Sequence, residues 1–394
     1  MRGKRIVLGI TGGIAAYKAA QICSDLVKAG ATVDVIMTKA ALEFIGPITL
    51  QNIANNKVHI DMFALPENYN VEHVSLAQGA DLILIAPATA NCIAKLACGL
   101  ADDLLSCTVL ASQAPVLIAP AMNTNMWTNP VTQENVEKLK ARGFHFVEPG
   151  YGRLACGLIG QGRLAPVDEI VDAAHYVLGQ GGPLAGRKIV VTAGGNREPI
   201  DPVRFLGNRS SGKTGFHLAR EARNRGAQVV LISGPTELKP PLGVEFVPVE
   251  TALEMDAAVK RHVEGCDALI MSAAVADYRV ENVASSKHKK QERLTLHLVQ
   301  NPDILATTNG DFVKIGFAAE TEDLLPAMEA KLVKKNLDLI VGNLVGQPDR
   351  GFEADTNQVV IMDRSGATEH WPLMDKGELA KKIIDRLQDL LAEK

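Results

Sequence analysis

Arg5-Ile-Val-Leu-Gly-Ile10 is an apolar run that ends abruptly in Thr11-Gly-Gly13, and the pattern returns as Lys188-Ile-Val-Val-Thr192 followed by Ala193-Gly-Gly195. A short apolar run bounded by glycines reads as a buried strand. The apolar spacing that follows, from Ile14 to about Lys28 and closed by Gly30, reads as an amphipathic helix. A second strand is expected over Thr32 to Met37. The later copy keeps this order, with a helix from about Lys213 to Arg225, then Gly226, then a strand from Gln228 to Ile232. Lys28-Ala-Gly-Ala-Thr-Val-Asp-Val-Ile36 parallels Asn224-Arg-Gly-Ala-Gln-Val-Val-Leu-Ile232, and Ala80-Asp-Leu-Ile-Leu-Ile-Ala-Pro87 parallels Cys266-Asp-Ala-Leu-Ile-Met-Ser-Ala273. Apolar strands alternating with helical patterns predict βαβ units and a mainly parallel sheet. The fold expected is therefore α/β, with two tandem doubly wound, Rossmann-like, three-layer domains. Gly179-Gln-Gly-Gly-Pro-Leu-Ala-Gly186 separates a helical pattern (Val167 to Leu178) from a fresh first strand, so the boundary falls there, between domains over 1–180 and 187–394.

Composition agrees. At about 150 residues per domain the 394 residues suit two to three domains, with two the first expectation, and 47% hydrophobic with 22% charged residues is ordinary for a globular chain. A net charge of −4 offers no surplus to neutralise a polyanion, so nucleic acid and anionic membranes are not expected partners. The six cysteines include no CxxC pair, as expected for a cytoplasmic protein with reduced thiols. Met1-Arg-Gly-Lys-Arg5 and the apolar run after it loosely imitate a signal peptide, but Thr11-Gly-Gly13 cuts the run short. No stretch approaches the ~18 apolar residues of a membrane span.

In open α/β sheets, ligands sit beyond the carboxyl ends of the strands, where helix N-termini favour anions. The turn Gly9-Ile-Thr-Gly-Gly-Ile-Ala-Ala-Tyr-Lys18 lacks the G-x-G-x-x-G order of dinucleotide binders. The second strand ends in Met37-Thr-Lys39, without an acid for a ribose. A single phosphate suits this site better than a pyrophosphate. Ala86-Pro-Ala-Thr-Ala-Asn91 is a small-residue turn that lets backbone approach a flat ligand, with Asn91 the expected helix N-cap. Pro120-Ala-Met-Asn123 ends a fourth strand in an amide.

Taken in order, Thr11-Gly-Gly-Ile-Ala-Ala-Tyr-Lys18, Pro87-Ala-Thr-Ala-Asn91, Ala101-Asp-Asp-Leu-Leu105 and Pro120-Ala-Met-Asn123 resemble the flavin-dependent cysteine decarboxylase family over residues 5 to 178. The resemblance implies FMN held by Gly12, Gly13, Thr38, Thr89 and Asn91, an active-site histidine at His73, and a substrate carboxylate held by Asn123. It also implies a mobile flap over the substrate, Gly150 to Gly162, that carries Cys156. Read alone, His73 is one of nine histidines and a structural role is the commoner one. Cys156 stands apart because it lies in a glycine-rich loop, whereas Cys23 and Cys107 fall in apolar helical patterns and look like core.

In the second half, Gly207-Asn-Arg-Ser-Ser-Gly-Lys-Thr214 matches the P-loop pattern letter for letter. A P-loop must follow its strand directly, and here the chain between Thr192 and Gly207 contains Pro199 and Pro202. An anion site at the start of the helix opened by Lys213 is the reading kept, with a P-loop nucleotide-dependent domain as the alternative. The string Thr192 to Lys213, with Ser272-Ala-Ala-Val-Ala-Asp-Tyr-Arg279, Lys287-His-Lys-Lys290, Asn301-Pro-Asp-Ile304, Gly316-Phe-Ala-Ala-Glu-Thr321 and Lys335-Asn-Leu-Asp-Leu-Ile340, resembles the phosphopantothenate–cysteine ligase domain. Together the halves resemble the bacterial bifunctional enzymes of coenzyme A biosynthesis, decarboxylase first and ligase second.

That resemblance implies 4′-phosphopantothenate, cysteine and CTP as ligase substrates, Mg2+ or another divalent cation with CTP, and 4′-phosphopantothenoylcysteine as the decarboxylase substrate. Asn208 then engages an acyl-cytidylate and Lys287 the transferring phosphate. Ser272, Ala273, Asp277, Asp303, Ile304, Phe317, Lys331 and Lys335 line the nucleotide site. It further implies a homo-oligomer through both domains. On the residues alone, Lys287 to Lys290 equally reads as a solvated basic loop, Lys331 and Lys335 share a helix face that points at phosphate or at water, and no metal ligands stand out. His288 and Thr214 depart from the common pattern of the relatives. A non-catalytic flavin-binding regulator is the non-enzyme alternative, and the joint presence of His73, Asn123 and Cys156 argues against it.

Overall fold

The computed structural model describes residues 1–63, 71–155, 157–290, 293–320, 322–344 and 354–394. It forms two compact units, Met1–Leu178 and Gly179–Lys394. The first is built on β1 (Arg5–Ile10), β2 (Thr32–Met37), β3 (Val58–His59), β4 (Leu82–Ala88), β5 (Val116–Pro120) and β6 (His145–Phe146), in the spatial order β3-β2-β1-β4-β5-β6. Every pairing is parallel, and this is the doubly wound order. Strands buried on both faces need apolar side chains on both, which is why Ile6, Val7 and Leu8 and the run Leu82 to Ala86 are all sequestered. The helices are α1 (Ala19–Lys28), α2 (Pro47–Ala54), α3 (Glu72–Gly79), α4 (Ala90–Cys98), α5 (Leu104–Ala111), α6 (Thr124–Trp127), α7 (Pro130–Ala141) and α8 (Val167–Gly179). An antiparallel hairpin, β7 (Gly150–Arg153) and β8 (Ile159–Arg163), precedes α8.

Two details differ from the sequence expectation. The helix after Gly13 opens as a 3-10 turn over Ile14–Lys18 and becomes α-helical only at Ala19, with no side chain capping the turn. The cap of α4 is Thr89, not Asn91. Thr89 Oγ accepts from the Cys92 amide at 3.3 Å because Thr89 has extended backbone, while Asn91 already lies inside the helix.

The second unit carries an eight-stranded sheet in the order β13-β12-β9-β14-β17-β18-β19-β20. Its strands are β9 (Lys188–Ala193), β12 (Gln228–Ser233), β13 (Glu245–Pro248), β14 (Ala268–Met271), β17 (Val313–Glu320), β18 (Leu339–Leu344), β19 (Thr356–Asp363) and β20 (Thr368–Asp375). The six from β13 to β18 run parallel, and β19 and β20 extend the sheet antiparallel. Two small hairpins, β10 (Arg197–Pro199) with β11 (Phe205–Gly207) and β15 (Tyr278–Val280) with β16 (Leu298–Gln300), stand at the carboxyl end. Helices α9 (Lys213–Asn224), α10 (Ala252–His262), α11 (Ile304–Thr307), α12 (Leu324–Lys334) and α13 (Lys376–Glu393) complete it. Among the described residues, no helix is long and apolar enough to cross a membrane.

The β10–β11 hairpin lies between β9 and α9, so Gly207 to Thr214 does not join a strand directly to a helix. This excludes the P-loop reading. The first turn of α9 instead packs against the sheet. A Cβ on Gly215 would lie 2.5 Å from Ala193 Cβ and 2.7 Å from Ser272 Oγ. Gly215→Ala is therefore expected to push α9 from β9 at a cost of about 1–3 kcal/mol. Its thermal unfolding midpoint should fall by several degrees, and an unchanged midpoint contradicts the packing described.

Candidate active sites

The first unit opens a cavity of about 520 Å³ at the carboxyl ends of β1, β2 and β4. Its walls include Thr11, Gly12, Thr38, Lys39, Thr89 and Asn91, with Ile60 to Phe63, Lys95, Asp102 to Ser106 and Met126. Thr11 fixes the two glycine- and alanine-rich turns together: its Oγ1 donates to the Pro87 carbonyl at 2.8 Å and accepts from the Thr89 amide at 3.0 Å. Gly12 is required by close approach, since a Cβ there would meet Ala40 Cβ at 2.4 Å. Asp34, the only acid in the second strand, is buried and occupied by Arg5 Nε at 2.5 Å and Asn56 Nδ2 at 2.9 Å. The edge where a dinucleotide binder places its ribose acid therefore carries Thr38.

One wall is charged. Lys95 Nζ lies 2.7 Å from Asp102 Oδ1 and 2.9 Å from Asp103 Oδ2, and the hydrogen bonds it donates to these two carboxylates raise its pKa. Asp103 also caps α5 in a reciprocal capping box with Ser106. Burial alone would raise the Asp103 pKa. The Ser106 amide, the Lys95 ammonium and the Ser106 hydroxyl outweigh it and hold the carboxyl below its usual range. Burial pushes the Cys92 thiol beside it up to about 12, with the Asp103 charge acting in the same direction. Cys23 is pushed up to about 11 by burial. Neither is a thiolate at neutral pH. Cys23 is core as expected, whereas Cys107 is half-buried, its Sγ donating to the Ala101 carbonyl at 3.1 Å.

Of the residues expected in this site, Gly12, Thr38, Thr89 and Asn91 line the cavity, while Gly13, His73 and Asn123 do not. His73 sits half-buried near the start of α3. Asn123 caps α6, accepting from the Asn125 amide at 2.8 Å, and Met126 of that helix reaches the cavity. The β7–β8 hairpin is tied to the same segment, since Met122 N donates to the Gly162 carbonyl at 2.9 Å. A Cβ on Gly162 would strike the Met122 carbonyl at 2.4 Å. Cys156, between those two strands, lies outside the described residues.

The second cavity, about 470 Å³, lies at the carboxyl ends of β9, β14 and β17. It brings together Asn208, Ser272, Ala273, Asp277, Asp303, Ile304, Phe317, Lys331 and Lys335. Its floor is the segment after β14, whose peptide groups have left the sheet and are held mostly by side chains. Ala273 N donates to Thr192 Oγ1 at 3.1 Å, and Asn208 Nδ2 donates to the Ala274 and Val275 carbonyls, each at 3.2 Å. Ala276 N donates to Asn196 Oδ1 at 2.7 Å, and Asn301 Nδ2 donates to the Ala276 carbonyl at 2.8 Å. Asn196 is in turn fixed by Glu198, a buried carboxylate that accepts from the first amide of α10.

The lysines on the wall face carboxylates. Lys335 Nζ is 2.9 Å from Asp303 Oδ1, Lys331 Nζ is 2.6 Å from Glu320 Oε1, and Lys213 Nζ is 2.5 Å from Asp355 Oδ1. Lys376, buried beside Lys213, also lines the cavity. Burial lowers its pKa, the Lys213 charge adds to this, and Asp355 opposes it. Lys376 and Asn301 were not singled out in the sequence. Asn301 lies within the quoted Asn-Pro-Asp-Ile, but no local pattern marks Lys376.

Lys287 is exposed and is not on the cavity wall. Its loop is anchored next door, where the His288 amide donates to Asp201 Oδ2 at 3.1 Å. Because His288 is held through its backbone, this anchor does not depend on its side chain. Among the described residues, no cluster of His, Cys, Asp and Glu is arranged to hold a metal ion.

Fold and sites define a two-unit α/β chain with a cavity beyond the carboxyl ends of the parallel strands in each unit, the second walled by lysines. Residues 1–178 match the family described as Flavoprotein, and residues 184–391 match the DNA/pantothenate metabolism flavoprotein C-terminal domain. The chain is 44% identical to the Coenzyme A biosynthesis bifunctional protein CoaBC of Bacillus subtilis, covering 99% of this chain and 98% of the relative. It is likewise 44% identical to that of Mycobacterium tuberculosis (strain H37Rv), over 99% and 97%. A crystal structure of the C-terminal domain of a Coenzyme A biosynthesis bifunctional protein CoaBC aligns with 54% of this chain and 100% of its own, at 39% identity and a TM-score of 0.47. The chain belongs to the family of coenzyme A biosynthesis bifunctional proteins.

The depressed Asp103 pKa has a pH consequence. A carboxyl whose folded pKa lies below its unfolded value stabilises the fold above the unfolded value, about 3.9, and the contribution disappears as pH falls through the folded pKa. Asp103→Asn should lower the thermal midpoint at pH 7. The gap from wild type should close as pH is taken below about 4, and a gap independent of pH would count against the Lys95–Asp103–Ser106 arrangement.

Proposed function

We propose that the second unit ligates cysteine to 4′-phosphopantothenate with CTP, and that the first decarboxylates the product, 4′-phosphopantothenoylcysteine, to 4′-phosphopantetheine. The observation that carries this reading is the convergence of nine residues from five separated stretches on one cavity walled by lysines. The domain limits that accompany it are 1–180 and 187–394.

Ligation requires the substrate carboxylate to attack the α-phosphate of CTP, so the site must hold two anions together and disperse charge as pyrophosphate leaves. Lys213, Lys331, Lys335 and Lys376 supply positive charge. Lys331 and Lys335 exchange Glu320 and Asp303 for phosphate oxygens, and a divalent cation such as Mg2+ accompanies the nucleotide. Asn208, already bonded to the floor of the cavity, engages the acyl-cytidylate. Lys287 approaches the transferring phosphate from its exposed loop. The amine of cysteine then displaces CMP.

In the first unit Gly12, Gly13, Thr38, Thr89 and Asn91 would hold FMN. The fit rests on the Gly12 cradle, the absence of an acid at the end of β2, and the threonine-lined edge. When bound, FMN would supply two-electron redox chemistry, a hydride accepted on oxidation of the thiol to a thioaldehyde, which is the electron sink for loss of carbon dioxide, and given back afterwards. His73 takes the thiol proton, Asn123 holds the carboxylate, and Cys156 protonates the ene-thiol product. The resemblance to the family extends this reading to a homo-oligomer through both domains, with the flavin sites between decarboxylase subunits. The reading places the protein in the cytoplasm.

The purified protein should be yellow and should release pyrophosphate from CTP only when both 4′-phosphopantothenate and cysteine are present. Release that is as fast with ATP rules out the cytosine selectivity. Cys156→Ser should evolve carbon dioxide from 4′-phosphopantothenoylcysteine yet accumulate the ene-thiol. Complete turnover to 4′-phosphopantetheine by this variant removes Cys156 from the mechanism.

A further inference from the structure

Beneath the second cavity lies a charged side chain that the proposed chemistry does not use. Lys314, on β17, is 4% exposed, and its Nζ donates to the carbonyls of Leu305, Thr308 and Lys335, each at 2.9 Å. An ammonium has three donors, so all three are used. The acceptors are helix-end carbonyls: Leu305 and Thr308 close α11, and Lys335 caps α12. Such groups lack partners within their own helices and carry partial negative charge, which offsets the burial of a cation. The backbone of Lys314 grips the same turn, its amide donating to Asp338 Oδ2 at 2.8 Å and its carbonyl accepting from the Asp338 amide at 2.9 Å. Burial lowers the Lys314 pKa, with the charges of Asp338 and Asp303 opposing.

The two helix ends that this ammonium joins bear cavity residues. Asp303 and Ile304 begin α11, and Lys331 and Lys335 end α12. The Lys335–Asp303 ion pair bridges them on the cavity side. We infer that Lys314 is a positioning residue for the nucleotide subsite: by tying the end of α11 to the cap of α12, it sets where Lys335 and Asp303 meet the ligand. The inference rests on the ligase reading. A side chain that only filled space could be replaced by methionine at little cost, whereas here the replacement leaves helix-end carbonyls of both elements unbonded.

The test compares full-length wild type with Lys314→Met, Lys335→Met and the double variant, reading the Michaelis constants for CTP and for cysteine. Lys314→Met should raise the CTP constant about tenfold, the scale of one lost charge-assisted hydrogen bond, with the cysteine constant nearly unchanged. In the Lys335→Met background the same change should add little, because both act through one contact. Effects that multiply in the double variant, or equal rises in both constants, overturn the proposal. If Lys314→Met does not fold, Lys314→Gln, which keeps two donors, should show the same split at smaller size, and an unchanged CTP constant in it overturns the proposal as well. Failure of the ligase reading looks different, because wild type itself then releases no pyrophosphate from CTP. Failure of the positioning role leaves wild-type turnover intact and gives Lys314→Met a wild-type calorimetric Kd for CTP.

Discussion

A peptide group that leaves a parallel sheet at its carboxyl end loses its ladder partner and must find another. The second unit is organised around this constraint. The chain after β14 runs through Ser272 to Asp277 across the floor of the lysine-walled cavity, and its amides and carbonyls are met by Thr192, Asn196, Asn208 and Asn301. Side chains do what a neighbouring strand does elsewhere. The backbone is thereby fixed without being covered, which leaves an open cavity of definite shape. Asn208 belongs to both the scaffold and the site, so the residue assigned to the acyl-cytidylate is held in place before any ligand arrives.

The first unit solves the same problem with fewer groups. Thr11 alone ties the turn after β1 to the turn after β4, and Gly12 lets the backbone of one turn approach Ala40 in the next. The charges differ accordingly. The first cavity carries a lysine neutralised by two aspartates on one wall. The second gathers Lys213, Lys331, Lys335 and Lys376. Three of these lysines face carboxylates in turn, Asp355, Glu320 and Asp303, so the overall charge of −4 gives no hint of where the charges are gathered.

The fold was legible because strands buried on both faces must be apolar throughout, so β1, β4, β9 and β14 stand out as runs such as Leu82 to Ile85 and Ala268 to Met271. Much of the second site was legible too, because its residues sit in short stretches immediately after strands or at helix starts. What was hidden depends on convergence. Lys376 enters the cavity only because β19 and β20 extend the sheet antiparallel and deliver α13 beside α9. No spacing near Lys376 encodes that route. The cap of α4 was assigned to Asn91 because asparagine caps well, but the turn places the extended backbone at Thr89. In the first unit, His73 and Asn123 lie off the wall of the cavity that holds Gly12, Thr38, Thr89 and Asn91, and no local spacing shows that separation.

The central claim is that one chain joins cysteine to the acyl group of 4′-phosphopantothenate and then removes the carboxylate of that same cysteine. The direct measurement uses cysteine labelled at its carboxyl carbon, supplied with 4′-phosphopantothenate to the purified protein. Labelled carbon dioxide should be evolved when CTP is added and not in its absence. Release without CTP, or none with CTP and a full flavin complement, would contradict the account.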